Sequence, residues 1–337
     1  MIDLRSDTVT RPTLGMLEYM MEAEVGDDVF AEDPTTNEFE EKIAEMFGME
    51  AGLFVPSGTM GNQLCLQVLT NPGDEIIIDH LGHIFNYETG AAAHLSSVQL
   101  WPLIGNRGKL DAGMIEGALR PNNDWDPKSR VVAIENTTNK GGGACYTKKE
   151  LLAIRQVADK HGLAVHLDGA RIWNAMAASG IESEFFGTVA DTLLVCFSKG
   201  LGAPVGSMIL ASRENIQKAR RVRKMWGGGM RQTGLLTAAA EYAVRYHQDY
   251  LQNDHDHARR FAKAVSDMPE FDIDLSEVET NIVLFSVKKG SVETFLNHLS
   301  RHSVGMSQFG ENTVRAVFHF QISMDEINFV LEIMRNY

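Results

Sequence analysis

Positive charge is scarce in this sequence. Its 337 residues carry 31 Lys and Arg against 45 Asp and Glu, a formal net charge of −14. That balance argues against a nucleic acid or an acidic membrane as partner, because both require a basic face. Cysteine is rarer still. Cys65, Cys145 and Cys196 stand far apart and match no zinc-ligand spacing, so reduced thiols in or near the core are expected, and no metal site. No window approaches the roughly 18 consecutive apolar residues of a membrane span. The polar start MIDLRSDTVT has neither the basic leader nor the apolar stretch of a signal peptide, which makes the cytoplasm the expected compartment. Internal repeats and low-complexity stretches are missing as well. What is present is an ordinary globular balance, 44% hydrophobic and 23% charged, at a length that suggests one large domain and a smaller one.

Short apolar runs alternate with helical stretches. LFVPS (53–57) reads as a strand and is followed by a Gly-containing turn and helix-like residues 59–69; NPGD (71–74) makes a turn into the strand EIIID (75–79). RVVAIEN (130–136) runs into the Gly-rich loop 141–143. A helix follows from about 148 to 160, with Thr147 and Glu150 at capping-box spacing. LAVHLD (163–168), TLLVCF (192–197) and GSMILA (206–211) continue the strand series. This alternation predicts an α/β fold with a mainly parallel sheet covered by helices on both faces. From 232 to about 266 the pattern is helical. NIVLFSV (281–287), a helix near 292–302, VRAVFHF (314–320) and a last helix headed by Ser323 and Glu326 predict a small α+β domain. The expected division is 1–245 and 246–337. His255 and His257 in NDHDHARR resemble metal ligands at first sight but fall on a charged helical stretch and are expected on a solvated face. The basic run 218–224 reads as a local face or an interface.

In parallel sheets ligands bind beyond the carboxyl ends of the strands, and the polar residues of interest follow strands. Lys199, in Ser198-Lys199-Gly200, comes straight after an apolar run, where an amine readily has a depressed pKa suited to Schiff-base formation. Asp168 also ends a strand. By itself it could be a helix cap; the alternative is a buried carboxylate that keeps a pyridinium nitrogen protonated, the condition for pyridoxal 5′-phosphate to act as an electron sink. Arg171, three residues later, is expected near the same strand end, within reach of a cofactor or substrate oxygen. Ser57-Gly58-Thr59 combines a permissive glycine with a helix start whose free N–H groups suit a phosphate. No G-x-G-x-x-G opens the first strand–helix unit, which excludes the usual nicotinamide fingerprint.

These features stand in a wider set of stretches: LRSDTVTRPT (4–13), GDDVFAEDPTTNEFE (26–40), PSGTMGNQ (56–63), HIFNYETG (83–90), ENTTNKGG (135–142), HLDGARIWNA (166–175), FSKGLGAPVGS (197–207) and GGGMRQTG (227–234). Together they make the chain resemble the threonine aldolases of the fold-type-I pyridoxal-phosphate superfamily, in the β-eliminating lyase group, over nearly its whole length. The resemblance implies a Schiff base on Lys199, Asp168 against the pyridine nitrogen, and Gly58, Thr59 and Ser198 at the phosphate. It places Arg231 near the phosphate and lets Lys224 reach a neighbouring subunit's site. It puts His83 over the ring as the handler of the substrate hydroxyl. Ser6, Arg171 and Arg315 would bind the substrate carboxylate, with Tyr87 lining the pocket near a dimer interface. A homo-oligomer is implied, a dimer at minimum and a tetramer by expectation. The implied reaction is retro-aldol cleavage of a 3-hydroxy amino acid, giving glycine and acetaldehyde from threonine or allo-threonine.

The chain departs from the family pattern in two places. Thr138 stands at the fourth position of ENTTN, where a histidine is usual. A threonine hydroxyl can hydrogen-bond to substrate but is a poor general base, which leaves His83 as the base candidate. The run after Arg315, VRAVFHFQ, is also less polar than expected. The competing readings are β-elimination or cleavage of a bulkier substrate such as phenylserine, then an aminotransferase, then a non-catalytic protein of the same fold.

Overall fold

The computed structural model describes all 337 residues. Thirteen strands, β1–β13 in chain order, form three sheets. The central sheet contains β2 (Ala51–Val55), β3 (Asp74–Asp79), β4 (Gln99–Leu103), β5 (Lys128–Glu135), β6 (Ala164–Gly169), β7 (Thr192–Cys196) and β8 (Ser207–Ala211), in the order β2-β8-β7-β6-β5-β3-β4. β8 runs antiparallel to both neighbours, while the remaining adjacent pairs are parallel. The mainly parallel sheet read from the sequence is therefore present, with GSMILA as its reversed member. β4 is the strand sequence patterning did not resolve: QLWPL contains a proline and is partly exposed at the sheet edge, where a missing N–H is tolerated.

Both faces of this sheet are covered, and the period-two alternation of side chains shows it. Phe54, Ile77, Val132, Ile134, Val165, Leu167, Leu193, Val195, Met208 and Leu210 point into one core of 37 buried residues. Their sequence neighbours Leu53, Val55, Leu194, Cys196, Ile209 and Ala211 enter a second cluster, and Ile76, Ile78, Val131 and Ala133 a third. The helix Gly58–Leu69 spans those last two clusters through Leu64, Cys65 and Leu66. Cys65 and Cys196 are buried and Cys145 is half-buried, all as free thiols. No helix is long and apolar enough to cross a membrane.

The C-terminal part holds its own core of 24 residues under an antiparallel sheet of β9 (Phe271–Asp272), β10 (Ile282–Val287), β12 (Ser307–Gln308) and β13 (Thr313–Val317), in the order β12-β13-β10-β9. The helical stretch 232–266 is two helices, Gly234–Tyr246 and Tyr250–Ser266. The chain breaks at His247, whose Nδ1 donates to the Leu201 carbonyl 2.7 Å away. His255 is fully buried, with Asn174 Nδ2 3.1 Å from its Nε2, which corrects the expectation of a solvated position. The second helix is amphipathic, and His255 lies beside buried Asp254 and Ala258 on its inner side. The capping boxes at Thr147/Glu150 and Ser323/Glu326 are both formed.

The first residues join the two cores. β1 (Ile2–Asp3) pairs in parallel with β11 (Val304–Gly305), and Leu4 enters the C-terminal core. Asp7 then receives two hydrogen bonds from Arg171 just beyond β6, at 2.8 and 2.7 Å, with Asn281 Nδ2 at 3.4 Å. Asp7 and Arg171 are both buried. Burial opposes ionisation of Asp7, but the Arg171 charge and hydrogen bonds outweigh it and hold the carboxyl well below its ordinary value. Removing one partner of such a pair strands the other charge, so Asp7→Ala should cost about 3–5 kcal/mol of stability. Because the native carboxyl is depressed, the pair's contribution is complete above the unfolded value of about 4 and is lost as pH falls through the lower native value. The gap between wild-type and variant urea midpoints should stay constant from neutral pH to about pH 5 and shrink below about pH 4.

Candidate active site

The carboxyl ends of β3, β5, β6 and β7 meet where the two cores face each other. Asp168 is the penultimate residue of β6, and Glu135, its register partner on β5, closes the adjacent strand. The turn after β3 starts the short helix His83–Asn86. Gly82 gives that helix no side-chain cap; Glu135 Oε2 accepts the His83 N–H at 2.8 Å instead, and Glu135 Oε1 accepts the Asn139 N–H at 2.8 Å. Burial and the neighbouring Asp168 charge push the Glu135 carboxyl up to about 7, against these hydrogen bonds.

Asn62 organises the rest. Its amide nitrogen lies 2.8 Å from Asp168 Oδ2 and 2.7 Å from Glu88 Oε1, and its oxygen lies 3.0 Å from His166 Nε2. Two carboxylates can only accept, so the nitrogen end of the amide must face them. His166 Nε2 then carries a proton, and its Nδ1, 3.0 Å from Thr192 Oγ1, accepts. Burial lowers the His166 pKa to about 4 and keeps the ring neutral. Glu88 receives a further hydrogen bond from Gln63 Nε2 at 2.6 Å and lies 2.9 Å from His83 Nδ1. Burial disfavours the His83 imidazolium, but the Glu88 hydrogen bond and the charges of Asp168, Glu88 and Glu135 prevail and raise its pKa. Asp168 Oδ1 accepts from the Ala170 N–H at 3.0 Å.

His83, Glu88 and Asp168 offer ligand atoms within 4.8 Å of one another. The carboxylate oxygens, however, face amide N–H donors that a cation would have to displace, so the trio forms a hydrogen-bonded network. Its donor set fits pyridoxal phosphate: a buried carboxylate for a protonated ring nitrogen, an imidazole beside it, and an amine. Lys199 Nζ is free of hydrogen bonds within the protomer, and the nearby carboxylate Asp7 feels its charge. The Gly58–Leu69 helix supplies an anion site, since its cap Ser57 Oγ satisfies only the Met60 N–H and leaves the first N–H groups, at Gly58 and Thr59, to solvent or a ligand. A Cβ at Gly58 would stand 3.0 Å from Cys196 Sγ, so a larger residue there would crowd the loop against β7.

Across the cleft, Arg315 Nη1 donates to Asn139 Oδ1 at 2.7 Å and its Nη2 to the Arg5 carbonyl at 3.0 Å. Arg171 Nη1 reaches the same Asn139 oxygen at 3.5 Å. Both arginines thus converge on Asn139, although Arg171 has its other two nitrogens on Asp7. Ser6 caps the following turn by accepting from the Thr8 N–H. Tyr87 is exposed, its ring centroid 5.4 Å from that of His83. Thr138 is buried and its hydroxyl donates to the Arg107 carbonyl at 2.9 Å, so its only O–H is engaged by backbone. Arg231 is exposed and paired with Asp27 at 2.8 Å, and Lys224 lies in the last turn of the Arg213–Met225 helix. Neither makes a contact with the His83–Asp168 network within the protomer.

Asn62, Gln63, Glu88, Glu135, Asn139, Asp7 and His166 complete the site and were not singled out from sequence. Several lie inside the quoted stretches. Asn62 and Gln63 follow Thr59 by three and four positions, which places polar groups on the phosphate-loop face of an otherwise apolar helix. That spacing was the signal available.

The family model of the beta-eliminating lyases matches residues 3–289. The chain is 39% identical to low-specificity L-threonine aldolase 1 of Arabidopsis thaliana, over 98% of this chain and 94% of that protein. It is 37% identical to the low specificity L-threonine aldolase of Escherichia coli (strain K12), over 97% and 96%. In fold it is similar to the threonine aldolase of Leishmania major, with a TM-score of 0.86 at 21% identity, covering 100% of this chain and 99% of that one. A match of this extent to the family and to full-length relatives makes the chain a member of the beta-eliminating lyases, on their threonine aldolase branch.

Proposed function

We propose that the protein cleaves L-threonine and L-allo-threonine to glycine and acetaldehyde with pyridoxal 5′-phosphate as cofactor. The observation that carries this reading is the Asn62-centred network, which sets a buried Asp168 and a hydrogen-bonded His83 at the carboxyl ends of the strands, with Lys199 following the adjoining β7. Lys199 would hold the cofactor covalently, Asp168 would face its ring nitrogen, and Gly58, Thr59 and Ser198 would hold its phosphate. Lys224 and Arg231 would contribute from the same or an adjoining subunit. Bound there, the cofactor withdraws electrons from the substrate α-carbon.

The protein's own residues do the rest. Arg315, with Nη1 of Arg171 and the Ser6 hydroxyl, binds the α-carboxylate and so fixes which bond at Cα is aligned for cleavage. His83 accepts the proton of the 3-hydroxyl, and Tyr87 lines the entrance beside it. The engaged hydroxyl of Thr138 supports a contact role at most, which leaves His83 as the base. We further propose a cytoplasmic homo-oligomer, dimer or tetramer, of two-part protomers divided near residue 245. Exposed Leu14, Leu17, Met21, Phe30 and Leu235 support an apolar contact between subunits.

Incubating the pyridoxal-phosphate-loaded protein separately with the two isomers should release glycine and acetaldehyde in equal amounts, and Lys199→Ala should abolish release. Absence of aldehyde from both isomers would redirect the reading to β-elimination or to bulkier substrates such as phenylserine. Arg315→Lys keeps the charge but loses the planar fork, so KM for threonine should rise about tenfold or more, with a smaller change in kcat.

A further inference from the structure

His83 is a competent base only if its proton sits on one particular nitrogen. Nδ1 lies 2.9 Å from Glu88 Oε1, so a proton on Nδ1 donates to Glu88 and leaves the Nε2 lone pair for the substrate. A proton on Nε2 would instead set two lone pairs against each other at Glu88. Glu88 is itself held as an acceptor. It is buried, and the amide nitrogens of Asn62 and Gln63 approach its two oxygens at 2.7 and 2.6 Å. Three donors converge on one carboxylate, which can meet all of them only as an acceptor, and the helix that carries Asn62 and Gln63 fixes where its oxygens sit. Asn62 also ties Glu88 to Asp168, so the cofactor's expected anchor and the base's partner are located by one amide.

We propose that Glu88 is the positioning residue for His83, fixing the imidazole in the Nδ1–H form with Nε2 free to take the substrate hydroxyl proton. The inference rests on the aldolase reading for its functional consequence, although the tautomer itself does not depend on it. The physical role is that of the buried carboxylate behind a catalytic histidine, which orients the ring and stabilises the imidazolium formed when the proton arrives. The charged groups facing His83 are Glu88 from its own segment, Glu135 from β5 and Asp168 from β6, with Asp79 of β3 and the Tyr87 ring close by. Glu88 is the one whose side chain meets the ring nitrogen. Glu135 meets the His83 backbone instead, and Asp168 acts through space.

The first test needs no activity. In the cofactor-free protein labelled with 15N-histidine, the neutral His83 ring should be the Nδ1–H tautomer, with a pKa above that of a free histidine. In Glu88→Gln the pKa should fall by about one unit as the charge is removed. A wild-type Nε2–H tautomer would overturn the proposal without any variant, and so would a His83 titration identical in both proteins. In the loaded enzyme, Glu88→Gln should lower kcat/KM for threonine by about a hundredfold and move the acid limb of its pH profile to lower pH by about one unit. Glu88→Asp, which keeps the charge, should hold the limb near its wild-type position. In a His83→Asn background the Glu88→Gln change should add little. A full independent loss there, or a uniform loss with an unmoved limb, would reduce Glu88 to a packing role. If wild type releases no aldehyde, the aldolase reading falls, while the tautomer measurement still decides what Glu88 does.

Discussion

Three buried carboxylates, Glu88, Glu135 and Asp168, crowd one edge of the central sheet, and their mutual repulsion is the constraint on which the site depends. Like charges in a dry volume either take up protons or are matched by donors. Both solutions are used. Glu88 and Asp168 are matched by Asn62, Gln63, His83 and the Ala170 N–H. Glu135 accepts two backbone N–H groups, yet its carboxyl is still pushed up to about 7. The Glu88 hydrogen bond, together with this excess of negative potential, raises the His83 pKa despite burial. It also suits the edge to a cationic ring nitrogen, which would relieve the same repulsion.

The matching works because the donors sit on rigid elements. Asn62 and Gln63 project from a helix whose other face is packed between two apolar clusters of the sheet. His166 points from β6 beside Asp168 and locks the orientation of the Asn62 amide through a fixed tautomer. A hydrogen-bonded network of this kind holds its members in one arrangement as long as every partner is present.

A second structural tie brings the substrate side into place. The buried Asp7–Arg171 pair fastens the N-terminal segment to the end of β6, while β1 and Leu4 fasten the same segment to the C-terminal core. Arg315, on β13, is thereby held against Asn139 of the large core. Backbone packing supports this seam. Gly143 adopts φ +78°, and a Cβ there would stand 2.2 Å from Thr280 Oγ1, so the loop after β5 can meet the C-terminal segment only as glycine.

Local pattern determined much of this protein. Period-two apolar runs and capping-box spacings specify the strands of the parallel sheet and the helix starts, because those signals depend on neighbours a few positions away. The sequence also showed that Ser57-Gly58-Thr59 and Lys199 come just after apolar strands, now β2 and β7, and that Asp168 lies near the end of another, β6. Tertiary structure alone decided the rest. β4 pairs at the edge in spite of Pro102, because its neighbour supplies the ladder. His255 is buried, because the register of an amphipathic helix against a separate core is a long-range matter. Arg171 turned out to be largely committed to Asp7, and Glu88 turned out to face His83. Those partnerships join residues on different elements, whose meeting is set by packing and charge balance in three dimensions and leaves no periodic trace in the chain.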